Sequence, residues 1–284
     1  RKEPAELPRT GWTTSYRRAV PSMPQFIAMA QPAPRTSESR AVSGAWEGRR
    51  IGITGAGGEL GRALTRRLRQ RGAWVVALSH RPQPKAQDSL TGPQEWVRWS
   101  CGKEEELDST LRRLDVLVLN HGINPGGDQS PESLSQALDV NALSQWRLLQ
   151  RFEQLERTTD QHADAPELWV NTSEAEIQPA MSPAYELSKR LIGQLVSLRW
   201  SAPRRERANL PKLRKLVLGP FRSELNPIGV MSADFVAGQI LWQAGIGLPL
   251  IIVTPNPLTL LVMPLTELGR LLYNRIFRIN HPDR

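Results

Sequence analysis

One cysteine, Cys101, stands in a chain of 284 residues, so neither an intramolecular disulfide nor a thiolate metal cluster can form. That composition suits a reducing compartment and reads as a cytoplasmic protein. Histidine is nearly as scarce: His80, His121, His162 and His281 are scattered without ligand spacing, which takes a metal site out of the expectations. Charge vanishes from Phe235 to Thr266, a length that suggests a membrane span. Pro249, Pro255, Pro257 and Pro264 cut that stretch into pieces too short for one helix, and a span is rejected.

Acidic residues are the minority, and the formal charge is +9. Residues 1–50 carry nine Lys/Arg against four Asp/Glu, and residues 203–284 carry eleven against five, so the basicity lies at the ends. Aromatic residues are not interleaved with it, which argues against a nucleic-acid platform. Residues 1–45 hold Pro4, Pro8, Pro21, Pro24, Pro32 and Pro34 among Ser, Thr and Arg without an apolar period. They are expected to be disordered, with three origins open: a plain extension, an organelle transit segment (weakened by Glu3, Glu6 and Glu38), or the tail of an upstream domain.

The densest local signal is Arg49–Leu64. A short apolar run, Ile51–Ile53, breaks into a turn holding Gly55, Gly58 and Gly61 and passes into a periodic segment, Leu60, Ala63, Leu64 and Leu68. Strand, tight turn and helix in that order form the entry to a nucleotide site, because glycines let the backbone approach a pyrophosphate and the helix end attracts its charge. Trp74–Leu78 and Trp96–Ser100 read as the next strands. The loop between them begins Ser79-His80-Arg81 where a ribose-binding acid would mark NAD. A basic, hydroxyl-bearing end favours a 2′-phosphate, hence NADP(H) over NAD(H).

Farther on, Glu104–Leu114 reads as a helix with acid first and Arg112 and Arg113 last, and Asp115–Leu119 as a buried strand. Pro131–Leu155 reads as one long helix with Leu134, Leu138, Ala142 and Trp146 on a stripe. Leu168–Thr172 is a further strand, Pro183–Trp200 a helix and Leu250–Val253 the last strand. This alternation predicts an α/β fold: a Rossmann-like doubly wound parallel sheet of about seven strands with helices on both faces. The expected organisation is a cofactor-binding and catalytic domain over 46–255 and an amphipathic extension over 256–284. In the extension, Leu258, Leu261, Leu265, Leu268, Leu272 and Phe277 alternate with Arg270, Arg275 and Arg278. Two fates suit it equally: peripheral contact with a membrane surface, or docking on its own domain or on a second subunit of a homodimer.

Tyr185 and Lys189, four apart, share one face of the Pro183–Trp200 helix. An ammonium beside a phenol is expected to lower the phenol pKa into the range of acid/base work. Thr172 and Ser173 offer hydroxyls at the same sheet edge, and Asn141 is a polar residue inside a helix. The set Thr54-Gly55-Ala56 with Gly61, Asn120-His121-Gly122, Asn141, Ser173 and Tyr185-Glu-Leu-Ser-Lys189 resembles the short-chain dehydrogenase/reductase superfamily over roughly 48–255. Within it, Asn120–Asn124, Val170–Glu176 and Leu218–Ser223 resemble a cyanobacterial branch associated with a sterol desaturase domain, which adds a desaturase-like protein to the expected partners. No His-box desaturase segment is present in this chain.

The resemblance implies hydride transfer between NADP(H) and a small-molecule carbonyl or alcohol, of lipidic character given the apolar end. It assigns proton transfer to Tyr185, ribose binding and tyrosine activation to Lys189, carbonyl polarisation to Ser173 and a relay water to Asn141. Cofactor binding falls to Thr54, Gly55, Ala56, Gly58, Leu60, Gly61, Ser79, Arg81, Asn120 and Gly122, with Tyr185 and Lys189. Two alternatives stand beside the oxidoreductase: a dinucleotide-binding scaffold without turnover, and a dehydratase or epimerase of the same superfamily. Four departures from the family pattern mark this chain: Glu59 at a usual glycine, Ser173 one residue closer than usual to Tyr185, His121 in place of a small residue, and Cys101-Gly102 where an adenine-contacting Asp is common. Ser223–Val230 is expected to cover the substrate.

Overall fold

The computed structural model describes residues 44–84, 89–156, 165–202 and 209–278. The expectation for residues 1–45 falls, save for its last two residues, outside the described residues.

Strand β1 (Arg50–Thr54) opens the domain, followed by helix α1 (Glu59–Arg69), β2 (Trp74–Ser79) and β3 (Glu95–Arg98). A 3-10 turn (Glu104–Leu107) runs into the single-turn helix α2 (Asp108–Leu111), then β4 (Val116–Leu119). Helix α3 (Pro131–Leu138), a π turn (Asp139–Leu143) and α4 (Ser144–Gln154) form one interrupted rod, followed by β5 (Glu167–Asn171). After a short 3-10 turn (Glu174–Glu176) come α5 (Pro183–Trp200), β6 (Lys212–Leu218), α6 (Ala233–Gly245), β7 (Leu250–Val253) and α7 (Pro257–Arg278).

All six neighbour pairings are parallel, in the order β3-β2-β1-β4-β5-β6-β7. The order reverses between β1 and β4, and a ligand crevice belongs at that switch point, outside the carboxyl ends of the strands. Alternate strand residues feed two cores. Ile51, Ile53, Val75, Ala77, Val116 and Val118 meet α1 and α6 on one face. Val76, Leu78, Leu117, Leu119, Leu168 and Val170 meet α2, α4 and α5 on the other. Burial on both faces is what makes these strands read as continuous apolar runs.

Three expectations need correction. The Glu104–Leu114 helix is a 3-10 turn plus one α turn, because Glu104 swings inward to Ser144, Arg147 and the Gly102 N–H instead of standing at a helix end. The long helix over 131–155 is broken by the π turn, where the Ser144 N–H reaches back to the Asp139 carbonyl. Its buried side is Ala137, Asn141, Ala142, Gln145, Leu148 and Phe152, while Leu134, Leu138 and Trp146 are only half-buried. Third, Pro264 does not divide the C-terminal stretch; it sits inside the 22-residue α7. The carbonyl it leaves unbonded belongs to Leu260, which is half-exposed, so water can satisfy it. No helix among the described residues is long and apolar enough to cross a membrane, in line with the rejected span.

Candidate active site

The glycine turn leaves β1 at the switch point. Gly55 takes φ +64°, the left-handed region, and its N–H donates to the Leu78 carbonyl at 3.0 Å. A Cβ on Gly61 would lie 2.4 Å from the Gly55 oxygen and 2.6 Å from the Ala56 Cα, so the helix can approach the turn this closely only with glycine there. Gly58 is the N-cap of α1 and offers no side-chain cap, which leaves the first-turn N–H groups at 59–61 to face an anion. Glu59 neither caps nor opposes that end: its carboxylate pairs with Arg62 on the exposed side of the first turn.

Two residues expected to touch the cofactor work from behind the crevice. Thr54 is fully buried; its hydroxyl donates to the Val118 carbonyl at 3.2 Å and accepts from the N–H groups of Asn120 at 2.8 Å and His121 at 3.2 Å. It joins β1 to the end of β4. The Leu60 side chain lies in the core, and only its backbone N–H faces the turn. Ala56 is likewise buried against that core.

At the end of β2, Ser79 accepts the Arg81 N–H at 3.1 Å. The Arg81 guanidinium is 55% exposed and lies 3.3 Å from Glu224. Trp96 closes this end by donating to the Arg81 carbonyl at 3.0 Å. The Ser223–Val230 segment therefore reaches across the mouth, held at one side by Arg81 and at the other by Asn124, whose amide donates to the Leu225 carbonyl at 3.1 Å.

The expected catalytic residues converge at the ends of β4, β5 and α5. Asn120 accepts from the Asn171 amide at 2.8 Å, and the Asn171 carbonyl accepts from the Lys189 ammonium at 3.0 Å. Lys189 lies over the Tyr185 ring, 5.7 Å from its centroid. The Ser173 hydroxyl donates to the Leu218 carbonyl at 3.4 Å and lies close enough to the Tyr185 phenol to draw its pKa down, while the Thr172 hydroxyl turns away to the Leu216 carbonyl at 3.1 Å. This placement leaves Ser173 as the hydroxyl that faces the phenol.

The electrostatics differ from the sequence expectation. Burial pushes the Tyr185 phenol up, the nearby Ser173 hydroxyl draws it back and the Glu174 carboxylate raises it again. Lys189 does not lower it in this arrangement, since its ammonium points at Asn171. Burial brings Lys189 itself down to about 8, against the opposing pull of Glu176. The Asn141 side chain is fully engaged by protein groups. Both amide hydrogens are taken, by the Ile123 carbonyl and the Ser188 hydroxyl at 2.9 Å each, and its oxygen accepts the Ile123 N–H at 2.7 Å. Its side chain therefore clamps the strand end to α5 instead of presenting a free amide to a water. Gly122 makes room for that clamp, because a Cβ there would lie 3.0 Å from the Asn141 oxygen.

Sequence reasoning missed Asn171, Ser188 and Glu174 as parts of the site. Asn171 had a signal, a polar residue ending an apolar strand; Ser188 and Glu174 are recognisable only from their partners. Among the described residues, no group of His, Cys, Asp or Glu could hold a metal ion.

The family model for the NAD dependent epimerase/dehydratase family matches residues 51–196, which span the glycine turn, the clamp and the Tyr185/Lys189 helix. The chain belongs to that family, within the short-chain dehydrogenase/reductase superfamily. A monoglucosyldiacylglycerol epimerase from Synechocystis is 39% identical over 237 residues, covering 81% of this chain and 55% of that protein. The chain thus spans about half the length of that relative. Among solved structures, an NADPH-dependent 3-quinuclidinone reductase from Rhodotorula rubra aligns with TM-score 0.61 at 15% identity, covering 85% of this chain and 98% of the other. BdcA in complex with NADPH aligns with TM-score 0.57 at 19% identity, covering 74% and 94%. These likenesses show the fold. For an epimerase/dehydratase family member the cofactor is NAD(P), and the close-approach turn at Gly55 and Gly61 with its open helix end fits that dinucleotide.

Proposed function

We propose that this chain is an NAD(P)-dependent epimerase that inverts one carbinol carbon of a sugar headgroup on a diacylglycerol lipid. The convergence of Tyr185, Lys189 and Ser173 at the switch-point crevice carries the reading; the 39% identical relative supplies the substrate class. The order of the alternatives read from the sequence is thereby reversed, with epimerisation ahead of net reduction.

A bound nicotinamide supplies reversible hydride acceptance. Tyr185 would take the proton of the reacting hydroxyl when the carbinol carbon is oxidised and return it to the same oxygen when that carbon is reduced on its opposite face. Ser173 donates to the oxygen while it is a carbonyl. Lys189 would hold the ribose of the bound cofactor, and its positive charge beside the phenol would favour the phenolate. Asn141 holds the α5 end of this set in register through Ser188 and Ile123. Arg81 and Ser79, with no carboxylate of their own segment near, favour the 2′-phosphate of NADP.

The test is to incubate the full chain with NADP+ or NAD+ and a glucosyl diacylglycerol in deuterated water, following the headgroup by NMR. Inversion without net change of nicotinamide absorbance and without deuterium at the inverted carbon is expected, since the hydride returns. Tyr185→Phe should lower the rate by about 10²–10⁴. Stoichiometric formation of reduced nicotinamide with oxidation of the headgroup would instead establish a simple dehydrogenase.

A further inference from the structure

Helix α7 is amphipathic in the reverse sense. Its inward side is Thr259, Met263, Glu267, Arg270, Leu271 and Asn274, of which only Met263 and Leu271 are apolar. Thr259 donates to Glu174 at 3.3 Å, and Glu267 accepts from Lys215 and Ser197 at 2.9 Å each. Arg270 pairs with Glu267 at 2.8 Å, and the Asn274 amide donates to Ser201 at 3.0 Å. Lys215 at the centre is fully buried and also holds Glu176 at 2.6 Å. Against this polar seat, the opposite face carries Leu258, Leu261, Leu265, Leu268, Leu272 and Tyr273, each more than half exposed. Free water selects the other arrangement, apolar in and polar out.

We infer that the outer face of α7 rests in the headgroup and acyl boundary of a lipid bilayer, and that it holds the mouth of the site at that surface. Four observations choose this occupant. The outward apolar residues cover about half of the helix circumference at 100° per residue, a breadth that suits a fluid plane, whereas a two-helix seam uses the narrower a/d stripe. The only acid of the helix, Glu267, is buried, while Arg275 is exposed, so the charge that α7 shows is positive and complements anionic headgroups. The helix also begins at the rim of the crevice: Thr254 and Thr259 both donate to Glu174, the neighbour of Ser173. Met181, beside the α5 N-cap, and Ile228 and Val230, in the segment that reaches across the mouth, stand at 87%, 74% and 69% exposure. A lipid whose tails remain in the bilayer could then present its headgroup to Tyr185 without leaving the membrane, and this last step rests on the function proposed above.

The experiment is flotation of the full chain with phosphatidylcholine vesicles, with and without phosphatidylglycerol. Wild type is expected to float, more with the anionic lipid and less in high salt. Leu261→Gln/Leu265→Gln/Leu268→Gln should lose partitioning by more than about tenfold, and Arg275→Glu should lose several-fold on anionic vesicles alone. Nicotinamide titration of each variant checks that fold and cofactor site are intact. Wild type remaining with the unbound protein, or the triple variant floating as well as wild type, overturns the inference. Failure to float combined with a self-associated species that the triple variant dissolves overturns it in favour of a second copy. Flotation without epimerisation leaves the docking and removes the lipid substrate, while epimerisation of detergent-dispersed lipid without flotation does the reverse.

Discussion

The Lys189 ammonium donates to the Asn171 carbonyl at 3.0 Å, and burial there lowers its pKa from the ordinary 10.5 to about 8. A cation held in this way costs stability wherever it stays charged, about 3 kcal/mol when it is protonated in both states. Between pH 8 and 10.5 the unfolded chain keeps a proton that the folded chain has released, so raising the pH through that window favours the folded state. Lys189→Met should therefore be inactive yet at least as stable as wild type at pH 7. Its advantage should shrink from pH 8 to 10.5, read as the difference in urea midpoint across that range. A variant that is less stable at every pH would contradict the argument.

His121 gives a prediction on the acid side. Burial, then the nearby Lys189 charge, brings its ring to about 3 from 6.5, with Glu104 pulling the other way. Its Nδ1 lies 2.8 Å from the Thr54 hydroxyl oxygen, and its Nε2 is buried without a hydrogen-bond partner among the described residues. The ring folds neutral, so its contribution is complete above pH 6.5 and is lost as the pH falls toward 3, on the order of 5 kcal/mol in all. His121→Ala should flatten the decline of wild-type stability over that interval. Parallel curves for the two proteins from pH 6.5 to 4 would refute it.

What the sequence disclosed depended on whether local signals agreed with the tertiary outcome. The turn at Gly55–Gly61 and the helix Pro183–Trp200 were legible because glycine spacing, proline at N1 and periodicity are local properties. Strand β6 was not, because Lys212, Arg214 and Lys215 break its apolar run. Arg214 and Lys215 are nonetheless buried in the sheet by Glu167, Glu176 and Glu267, which come from elsewhere in the chain. The π turn at 139–143 left no compositional mark, and it is what shifts the buried stripe from Leu138 to Asn141. The period of α7 was legible but its direction was not, since only the charges seated beneath it decide which face turns inward.

The clamp built on that π turn is energetically separable from the chemistry. Asn141→Ala leaves the Ile123 N–H, the Ile123 carbonyl and the Ser188 hydroxyl without their partner in a site that is 0% exposed at Asn141. Each orphaned buried group costs about 1–3 kcal/mol, partly recovered by water entering the gap, so a net loss of about 2–4 kcal/mol is expected. Guanidinium denaturation measures it. Asn141→Asp keeps the acceptor for the Ile123 N–H but neither donor, and should fall on the destabilised side as well, which separates the two donated bonds from the accepted one.

Arg81 and Glu224 face each other across the mouth at 3.3 Å, both more than half exposed. In that setting their ion pair contributes little to stability, and on the proposed NADP reading it is the charge that a 2′-phosphate would meet. Arg81→Ala should weaken NADPH by about tenfold and NADH little, because only the former has the phosphate. Glu224→Gln removes the competing carboxylate and should tighten NADPH a few-fold with NADH unchanged. In the double variant the gain from Glu224→Gln should disappear, since Glu224 acts on the phosphate through Arg81. Nicotinamide fluorescence titrations of the four proteins at low and high salt decide it. An equal response of NADH and NADPH to Arg81→Ala would place the guanidinium outside the 2′-phosphate site and leave Ser79 as the residue at the ribose.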